Sequence, residues 1–276
     1  MDGMIVVNKP AGFTSHDVVA KLRQILNTKK IGHTGTLDPD ATGVLLVMVG
    51  KATKALPFIE DIDKTYIAEL VLGNTTFTDD IYGEVLASQQ IKPIADFQQV
   101  LDTFKGKSQQ LPPMVSSIKV NGKKLYEYAR NHQPVERVAR FIEIYDIKVL
   151  DSDKLQFEVH CSSGTYIRSL CVDIAAKTGN LGCMGHLIRN KVGRFDISMA
   201  SNLDMISNGD YQIHPVLSLL SHFKQVQYDK IEEVYQGKKI KLDCDEQRVL
   251  IVFENQAIAV YEREKADVFR CVRGLW

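Results

Sequence analysis

The sequence predicts an α+β protein with a mixed, mainly antiparallel central sheet and flanking helices, followed by a small β-rich module. Up to Tyr211, strand-like and helix-like patterns are interspersed without the regular strand–helix–strand repeat of a parallel sheet. From Gln236 to Trp276, short apolar runs alternate with turn-prone or charged residues, as in a small β domain. A length of 276 residues accommodates one large domain and a small one.

The first half of the chain alternates short strands and helices. A strand is expected at 4–8, and Ser15 is a suitable N-cap for an amphipathic helix that extends to about Asn27. Residues 32–43 are dense in Gly, Thr, Asp and Pro, which predicts a loop. After this loop, the apolar patterns predict strands at 44–49 and 65–72, and helices at 52–60 and 94–104.

The second half contains more strands. Asn121 and Gly122 form a strong hairpin-turn signal, and 125–130 is expected to form a helical turn on the same excursion. Strands are predicted at 141–150 and 155–161, and a helix at 166–178 is expected to end at Gly179. An extended segment at 187–195 precedes the C-terminal β-rich region.

The charge is balanced overall and uneven locally. Lysine plus arginine number 34 and aspartate plus glutamate number 34, so the formal net charge is zero, which excludes a histone-like binder. Residues 111–150 nevertheless carry seven basic and four acidic side chains. A basic loop that bears tyrosines suits a phosphate-rich partner, and a solvated surface hairpin explains the same composition.

Several classes of protein are disfavoured by missing patterns. No apolar run approaches the ~18 residues of a membrane span, and no signal-peptide pattern is visible, so we expect a cytoplasmic protein without membrane attachment. The five cysteines form no CxxC pair and fit no zinc spacing, which predicts free thiols and no metal. The motifs GxGxxG, GxxxxGK, HExxH and GxSxG are absent as well, so no cofactor is indicated.

The loop at 32–43 is the most unusual segment, and Asp38 lies at its centre. Pro39 biases Asp38 away from the α region, which holds a carboxylate on an extended loop just before a buried strand. Such an aspartate can act as a nucleophile or base, or it can simply cap a turn. His33, in the same loop, can titrate, stack on a ligand or be solvated.

A second segment of interest joins a predicted strand to a predicted helix at 164–170. Tyr166 and Arg168 project from the first turn of that helix. The tyrosine can stack on a flat substrate, and the arginine can pair with a carboxylate. A half-buried tyrosine and a surface arginine are the structural alternative.

Taken together, these segments resemble the TruB family of pseudouridine synthases, which act on the T-loop of tRNA. The matching blocks occur in family order: VNKPAG at 7–12, GHTGTLDPDATG at 32–43, DKTY at 63–66, PPMVSSIK at 112–119, GKKLYEYAR at 122–130 and CSSGTYIR at 161–168. One stretch departs from the family pattern, because Phe77 and Tyr82 replace two usual acids while Asp80 keeps one.

The resemblance implies a role for each matching residue. Asp38 falls on the family's essential aspartate, Tyr66 on the tyrosine that stacks on the base and assists proton transfer, and Arg168 on the arginine that pairs with the aspartate. Implied substrate contacts come from His33, which is associated with base flipping, and from Tyr166, Lys9, Lys119, Lys123, Lys124 and Arg130. An inserted thumb is implied at about 108–142 within a catalytic domain at 1–212, followed by a PUA-like RNA-binding module at 213–276.

The implied reaction is the isomerisation of uridine to pseudouridine at position 55 of tRNA. The product is an isomer, so the reaction needs no cofactor. The base must first be extruded; Asp38 then attacks ribose C1′ or acts through a glycal, and the sequence leaves both routes open. A tRNA-folding chaperone and a carboxylate glycosidase are the competing hypotheses. The resemblance to the stand-alone bacterial type implies tRNA as partner, no guide RNA and a monomer.

Overall fold

The computed structural model describes residues 1–59 and 62–276. Its strands are β1 (Gly3–Lys9), β2 (Ile31–Thr34), β3 (Thr42–Val49), β4 (Lys64–Leu72), β5 (Asn74–Thr76), β6 (Val85–Ser88), β7 (Gly106–Gln110), β8 (Lys119–Val120), β9 (Lys123–Lys124), β10 (Arg140–Asp151), β11 (Gln156–Cys161), β12 (Gly182–Val192), β13 (Phe195–Asp196), β14 (Lys224–Val226), β15 (Ile240–Lys241), β16 (Arg248–Phe253), β17 (Gln256–Lys265) and β18 (Val268–Gly274). Its α-helices are α1 (Ser15–Ile25), α2 (Phe97–Asp102), α3 (Leu125–Arg130), α4 (Ile167–Lys177), α5 (Leu203–Ser207) and α6 (Ile231–Tyr235). Short 3₁₀ helices cover Gly50–Phe58, Ile197–Met199 and Val216–Leu219.

The chain forms two compact units. The first unit comprises Met1–Pro39, Gly43–Glu60 and Ile197–Trp276, and the second comprises Asp40–Thr42 and Asp61–Asp196. The predicted α+β class with mainly antiparallel sheets is confirmed. The predicted domain boundary between residues 212 and 213 stays a prediction. In the described part of the chain, no helix combines the length and the apolar character that crossing a membrane requires.

In the first unit, β3 pairs antiparallel with both β1 and β2. The apolar face of α1 covers these strands, because Val18 and Leu22 pack with Ile5 and Val47 in one buried cluster. The loop predicted at 32–43 is therefore shorter than expected: its first residues belong to β2, since pairing with β3 overrides their loop-like composition.

The start of α1 also differs from the prediction. The N-cap is Thr14 and not Ser15, because the Thr14 side chain accepts a hydrogen bond from the Asp17 N–H at 3.0 Å. The Asp17 carboxylate accepts from the Thr14 N–H at 2.8 Å in return. This reciprocal capping box satisfies two N–H groups at the helix start. It leaves the Ser15 side chain for a different contact.

The C-terminal part of the first unit is a five-stranded sheet in the order β14-β16-β17-β18-β15, which confirms the predicted β-rich region. Its β14–β16 pair is parallel, and the other pairs are antiparallel. One face packs on α6, and the other packs on Ala55 and Phe58 of the first 3₁₀ helix. Because both faces are covered, Val249–Val252 is buried throughout.

The second unit is built on an antiparallel sheet in the order β12-β4-β11-β10-β7, with β13 paired to β12. Tyr66, Ala68 and Leu70 of β4 are buried on one face, as the alternation predicts. Phe97 of α2 packs edge-on against Phe157, with ring centroids 6.2 Å apart. Helix α2 is shorter than the helix predicted at 94–104, and it begins after the N-cap Asp96.

The predicted thumb segment leaves this sheet after β7 and returns at β10, where Gln110 lies opposite Arg140. Between them, β8 and β9 form a two-residue hairpin. Asn121 and Gly122 have φ values of 50° and 83°, the left-handed geometry that such tight hairpin turns require. The helical turn predicted at 125–130 is confirmed as α3. The helix predicted at 52–60 is a 3₁₀ helix over Gly50–Phe58, and Glu60 lies outside the described residues.

Candidate active site

Asp38 lies half-buried between β2 and β3, and the residue that follows it, Pro39, is held through its carbonyl by Lys9. The Lys9 side chain is fully buried at the end of β1, with 0% exposure. Its Nζ donates to the Pro39 carbonyl at 2.7 Å, and to the carbonyls of Phe13 at 2.6 Å and Pro10 at 2.9 Å. The buried Lys9 ammonium therefore binds three backbone carbonyls and holds these backbone segments together. This geometry favours a role for Lys9 in fixing the Asp38 loop over a direct contact with RNA.

The peptide before Asp38 is held from the other side by Ser15. The Leu37 N–H donates to Ser15 Oγ at 3.0 Å, and the Ser15 hydroxyl in turn donates to the Leu37 carbonyl at 3.3 Å. Leu37 itself is buried, with 4% exposure. The residues on both sides of Asp38 are therefore anchored to β1 and to the start of α1, which positions the carboxylate before any substrate arrives. Sequence reasoning assigned Ser15 only to capping and missed this contact.

His33 lies on strand β2, opposite Val47 of β3, and not on the predicted loop. Its ring is half-buried and meets His16 edge-on, with centroids 5.2 Å apart. A strand fixes the direction of a side chain better than a loop does. The imidazole is thus presented in a defined orientation within the first unit.

Tyr66 and Arg168 are both buried in the second unit, with 7% and 5% exposure. Tyr66 lies in the middle of the sheet, between Val159 of β11 and Arg189 of β12. Arg168 is the second residue of α4. A buried phenol and a buried guanidinium on rigid elements are suited to holding a flat base and a charged group in fixed positions.

The guanidinium of Arg168 joins two loops. Its Nη1 donates to the Thr78 carbonyl at 2.8 Å, and its Nη2 donates to the Val115 carbonyl at 2.9 Å. Val115 belongs to the first residues of the thumb segment, and Thr78 to the turn between β5 and β6. The planar fork of arginine suits this bridging, because its donors have a fixed geometry that lysine lacks.

The turn between β5 and β6 contains two neighbouring acids in different environments. Burial raises the pKa of the Asp79 carboxyl, and the nearby Arg168 and Arg137 oppose this shift. The Asp80 carboxylate accepts hydrogen bonds from Thr78 Oγ1 at 2.7 Å and from the Tyr82 N–H at 3.1 Å, so it holds its own turn. The sequence does not single out Asp79, because nothing in its position beside Asp80 indicates an electrostatic interaction with Arg168.

Phe77 and Tyr82 of this turn stand at the two positions where the family resemblance implies acids. Phe77 and the thumb residue His132 face each other with ring centroids 6.3 Å apart. Tyr82 is exposed. The replacement therefore places an aromatic contact between the turn and the thumb segment.

The predicted thumb cations are presented at the surface. Lys119, Lys123 and Arg130 are exposed, and Lys124 is half-buried with its Nζ 5.4 Å from the Tyr126 ring centroid. Arg137 closes the base of the thumb by donating from Nη1 to the Pro112 carbonyl at 2.8 Å. The geometry leaves the four predicted cations accessible to a polyanion.

Tyr166 is the N-cap of α4, and its peptide group is bound by the Gln110 side chain. Gln110 was not predicted, since its partner lies 56 residues further along the chain.

The predicted site residues fall into two groups, one in each compact unit. Asp38, Lys9 and His33 belong to the first unit, and the second contains Tyr66, Tyr166, Arg168 and the thumb cations. Over residues 1–59 and 62–276, no group of three His, Cys, Asp or Glu side chains could hold a metal ion.

Comparison with solved structures concerns the fold of the chain. A chain of the crystal structure of a Cbf5–Nop10–Gar1 complex superposes with a TM-score of 0.74, covering 99% of this chain and 85% of that chain. Its sequence identity is 24%, so this likeness concerns the fold alone.

The sequence comparisons are more specific. The model of the TruB family pseudouridylate synthase N-terminal domain matches residues 23–167, more than half of the chain. tRNA pseudouridine synthase B of Oceanobacillus iheyensis is 37% identical over 281 residues, covering 95% of this chain and 93% of the relative. The protein of the same name from Bacillus subtilis is 43% identical over 241 residues, covering 80% and 77%. The chain belongs to the TruB family of pseudouridylate synthases.

Proposed function

We propose that this protein isomerises uridine to pseudouridine in tRNA, at position 55 of the T-loop. Its membership of the TruB family supports the reaction. The observation that carries the proposal is the placement of Asp38: its neighbours Pro39 and Leu37 are anchored through backbone atoms by the buried Lys9 and Ser15. A carboxylate fixed in this way costs little reorganisation when the substrate binds.

The reaction exchanges one bond for another. The bond between uracil N1 and ribose C1′ breaks, the freed uracil turns, and its C5 joins C1′. The proton on C5 leaves and N1 gains one, so the product has the same atoms as the substrate. A folded T-loop stacks the target base, so the base must be extruded first, at a cost of a few kcal/mol.

Each site residue has a role in this scheme. Asp38 starts the cleavage, either by attack on C1′ or through a glycal. Arg168 pairs with the carboxylate and orients it by its planar fork. Tyr66 holds the freed uracil while it turns and assists removal of the C5 proton, because its ring is apolar and its tip is polar.

RNA binding is assigned to the thumb cations and to His33. Lys119, Lys123, Lys124 and Arg130 contact the phosphates, which releases counterions and compensates for unstacking. His33 occupies the space that the extruded base leaves, and Tyr166 lines the pocket. We further infer that the enzyme acts as a monomer in the cytoplasm, without a guide RNA, and that residues 213–276 form a PUA-like RNA-binding module.

An assay with T-stem-loop RNA that carries tritium at uracil C5 tests the proposal. The protein alone should release tritium while the RNA chain stays intact. Asp38→Asn should fold and bind the RNA without turnover, while Asp40→Asn, a neighbouring carboxylate, serves as the matched control and should turn over normally. Normal turnover by Asp38→Asn would refute the assignment. Binding without tritium release would indicate an RNA chaperone, and free uracil a glycosidase.

A further inference from the structure

Helix α4 carries Arg168 as its second residue, yet its start has no side-chain cap of its own. The N-cap residue is Tyr166, with φ −97° and ψ 111°, and its side chain makes no capping hydrogen bond. Helix starts leave backbone N–H groups without intrahelical partners, and Ser, Thr, Asp or Asn usually supplies the cap. The first turn of α4 must therefore be fixed by a residue from elsewhere.

Gln110, the last residue of β7, supplies that contact. Its carboxamide is buried, with 4% exposure, and it binds the backbone N–H and the backbone carbonyl of one residue. The Tyr166 N–H donates to Gln110 Oε1 at 2.8 Å, and Gln110 Nε2 donates to the Tyr166 carbonyl at 3.0 Å. A side-chain amide offers a neutral donor and acceptor side by side, whereas an ionised carboxylate can only accept.

Two neighbouring contacts tie the same strand end to the same helix turn. Ser169 Oγ donates to the Leu111 carbonyl at 2.9 Å. Arg168 Nη2 donates to the Val115 carbonyl at 2.9 Å. The end of β7 and the residues that follow it are thus bonded to Tyr166, Arg168 and Ser169, and of these contacts only that of Gln110 uses a side chain of the strand.

We propose that Gln110 is a positioning residue, which fixes the first turn of α4 and thereby directs the guanidinium of Arg168. This inference rests on the proposed function, because it assumes that Arg168 serves the reaction. Gln110 acts through the peptide of Tyr166 and does not touch the substrate. A displacement of about 1 Å in a catalytic group can reduce a rate about 100-fold, so loss of the two hydrogen bonds should appear in the chemical step.

The test compares Gln110→Met, which keeps the length of the side chain and removes both hydrogen bonds, with Gln109→Met on the exposed neighbour. Two quantities are measured: the single-turnover rate of tritium release from T-stem-loop RNA, and the Kd for that RNA. Titration with RNA to saturation gives the concentration of competent protein, which corrects for any misfolded fraction. We expect the rate of Gln110→Met to fall about 10- to 100-fold while its Kd stays near the wild-type value. Gln109→Met should match the wild type in both.

Other outcomes are decisive. An unchanged rate, or a weaker Kd with an unchanged rate, would overturn the proposal, since the residue would then serve only packing or the thumb. If Gln110→Met does not fold, Gln110→Glu replaces it. An ionised carboxylate can accept from the Tyr166 N–H but cannot donate to the Tyr166 carbonyl, so we again expect a slower rate of tritium release. A wild-type rate in this variant would overturn the inference. An inactive wild type would refute the proposed function, whereas an active wild type with an active Gln110→Met would refute this inference alone.

Discussion

Lys9→Met tests whether VNKPAG at 7–12, the first block that matches the family, acts by holding the loop that carries Asp38. The Lys9 Nζ is fully buried and donates to three backbone carbonyls at 2.6 to 2.9 Å, one of them that of Pro39. Methionine has a similar length and no donor. The substitution therefore removes the hydrogen bonds and keeps most of the packing.

The expected destabilisation follows from these contacts. A hydrogen bond to a charged group contributes about 1.5–3 kcal/mol, and three of them are lost. The variant also avoids burying an ammonium group, which costs several kcal/mol per ion. We expect a net fall of about 2–4 kcal/mol in the free energy of unfolding. Because the Pro39 peptide loses its anchor, the single-turnover rate should fall at least about 10-fold.

Urea denaturation and tritium release measure the two effects, and Lys21→Met on the exposed side of α1 is the control. A surface change of that kind should stay within about 0.5 kcal/mol. The Kd of Lys9→Met for RNA should keep the wild-type salt dependence. A free energy of unfolding equal to that of the wild type, together with a salt slope reduced by about 1, would refute this reasoning and assign Lys9 to an RNA phosphate.

Three further predictions concern other parts of the molecule. Arg168→Lys should bind RNA but lose about 100-fold or more in single-turnover rate, because lysine lacks the planar fork; near-wild-type kinetics would count against its pairing role. Changing Lys119, Lys123 and Lys124 together to Ala should weaken RNA binding and reduce the salt slope by about 3, measured by filter binding at several salt concentrations; an unchanged slope would place the RNA elsewhere. Burial raises the pKa of the Cys161 thiol to about 11, so iodoacetamide at pH 8 should leave it unlabelled in the native protein and label it after unfolding, as followed by mass spectrometry; native labelling would show that the strand opens.

The elements that the sequence predicts well are those that depend on local patterns. The hairpin at Asn121–Gly122 and helix α3 follow from turn chemistry and helical spacing, and the buried face of β4 follows from alternation. The apolar stripe of α1 is also local, although its cap shifts by one residue to Thr14. Such features are encoded within a few neighbouring residues.

The elements that the sequence does not predict depend on partners far along the chain. Strand β2 forms from loop-like residues because β3 lies beside it. The sequence does not predict the β5–β6 hairpin. Its strand Val85–Ser88 is exposed throughout, so no buried face imposes an alternation of apolar and polar residues on it. Neither the backbone contacts of Ser15 nor those of Gln110 have any local signature, since their partners are 22 and 56 residues away. For Asp38 and Arg168 the residue pattern leaves a chemical and a structural reading open, and the roles proposed for them and for Tyr66 come from the family resemblance.

In both units, a side chain binds the backbone near a residue that we propose takes part in the reaction. Lys9 and Ser15 bind backbone atoms of the residues on either side of Asp38, and Gln110 binds the backbone two residues before Arg168. Backbone atoms do not depend on the identity of the residue that carries them. We therefore expect the holding residues to be sensitive positions, because their loss removes the hydrogen bonds that fix the backbone near the proposed reactive groups. On this proposal, side chains that do not meet the substrate set the accuracy with which the reactive ones are placed.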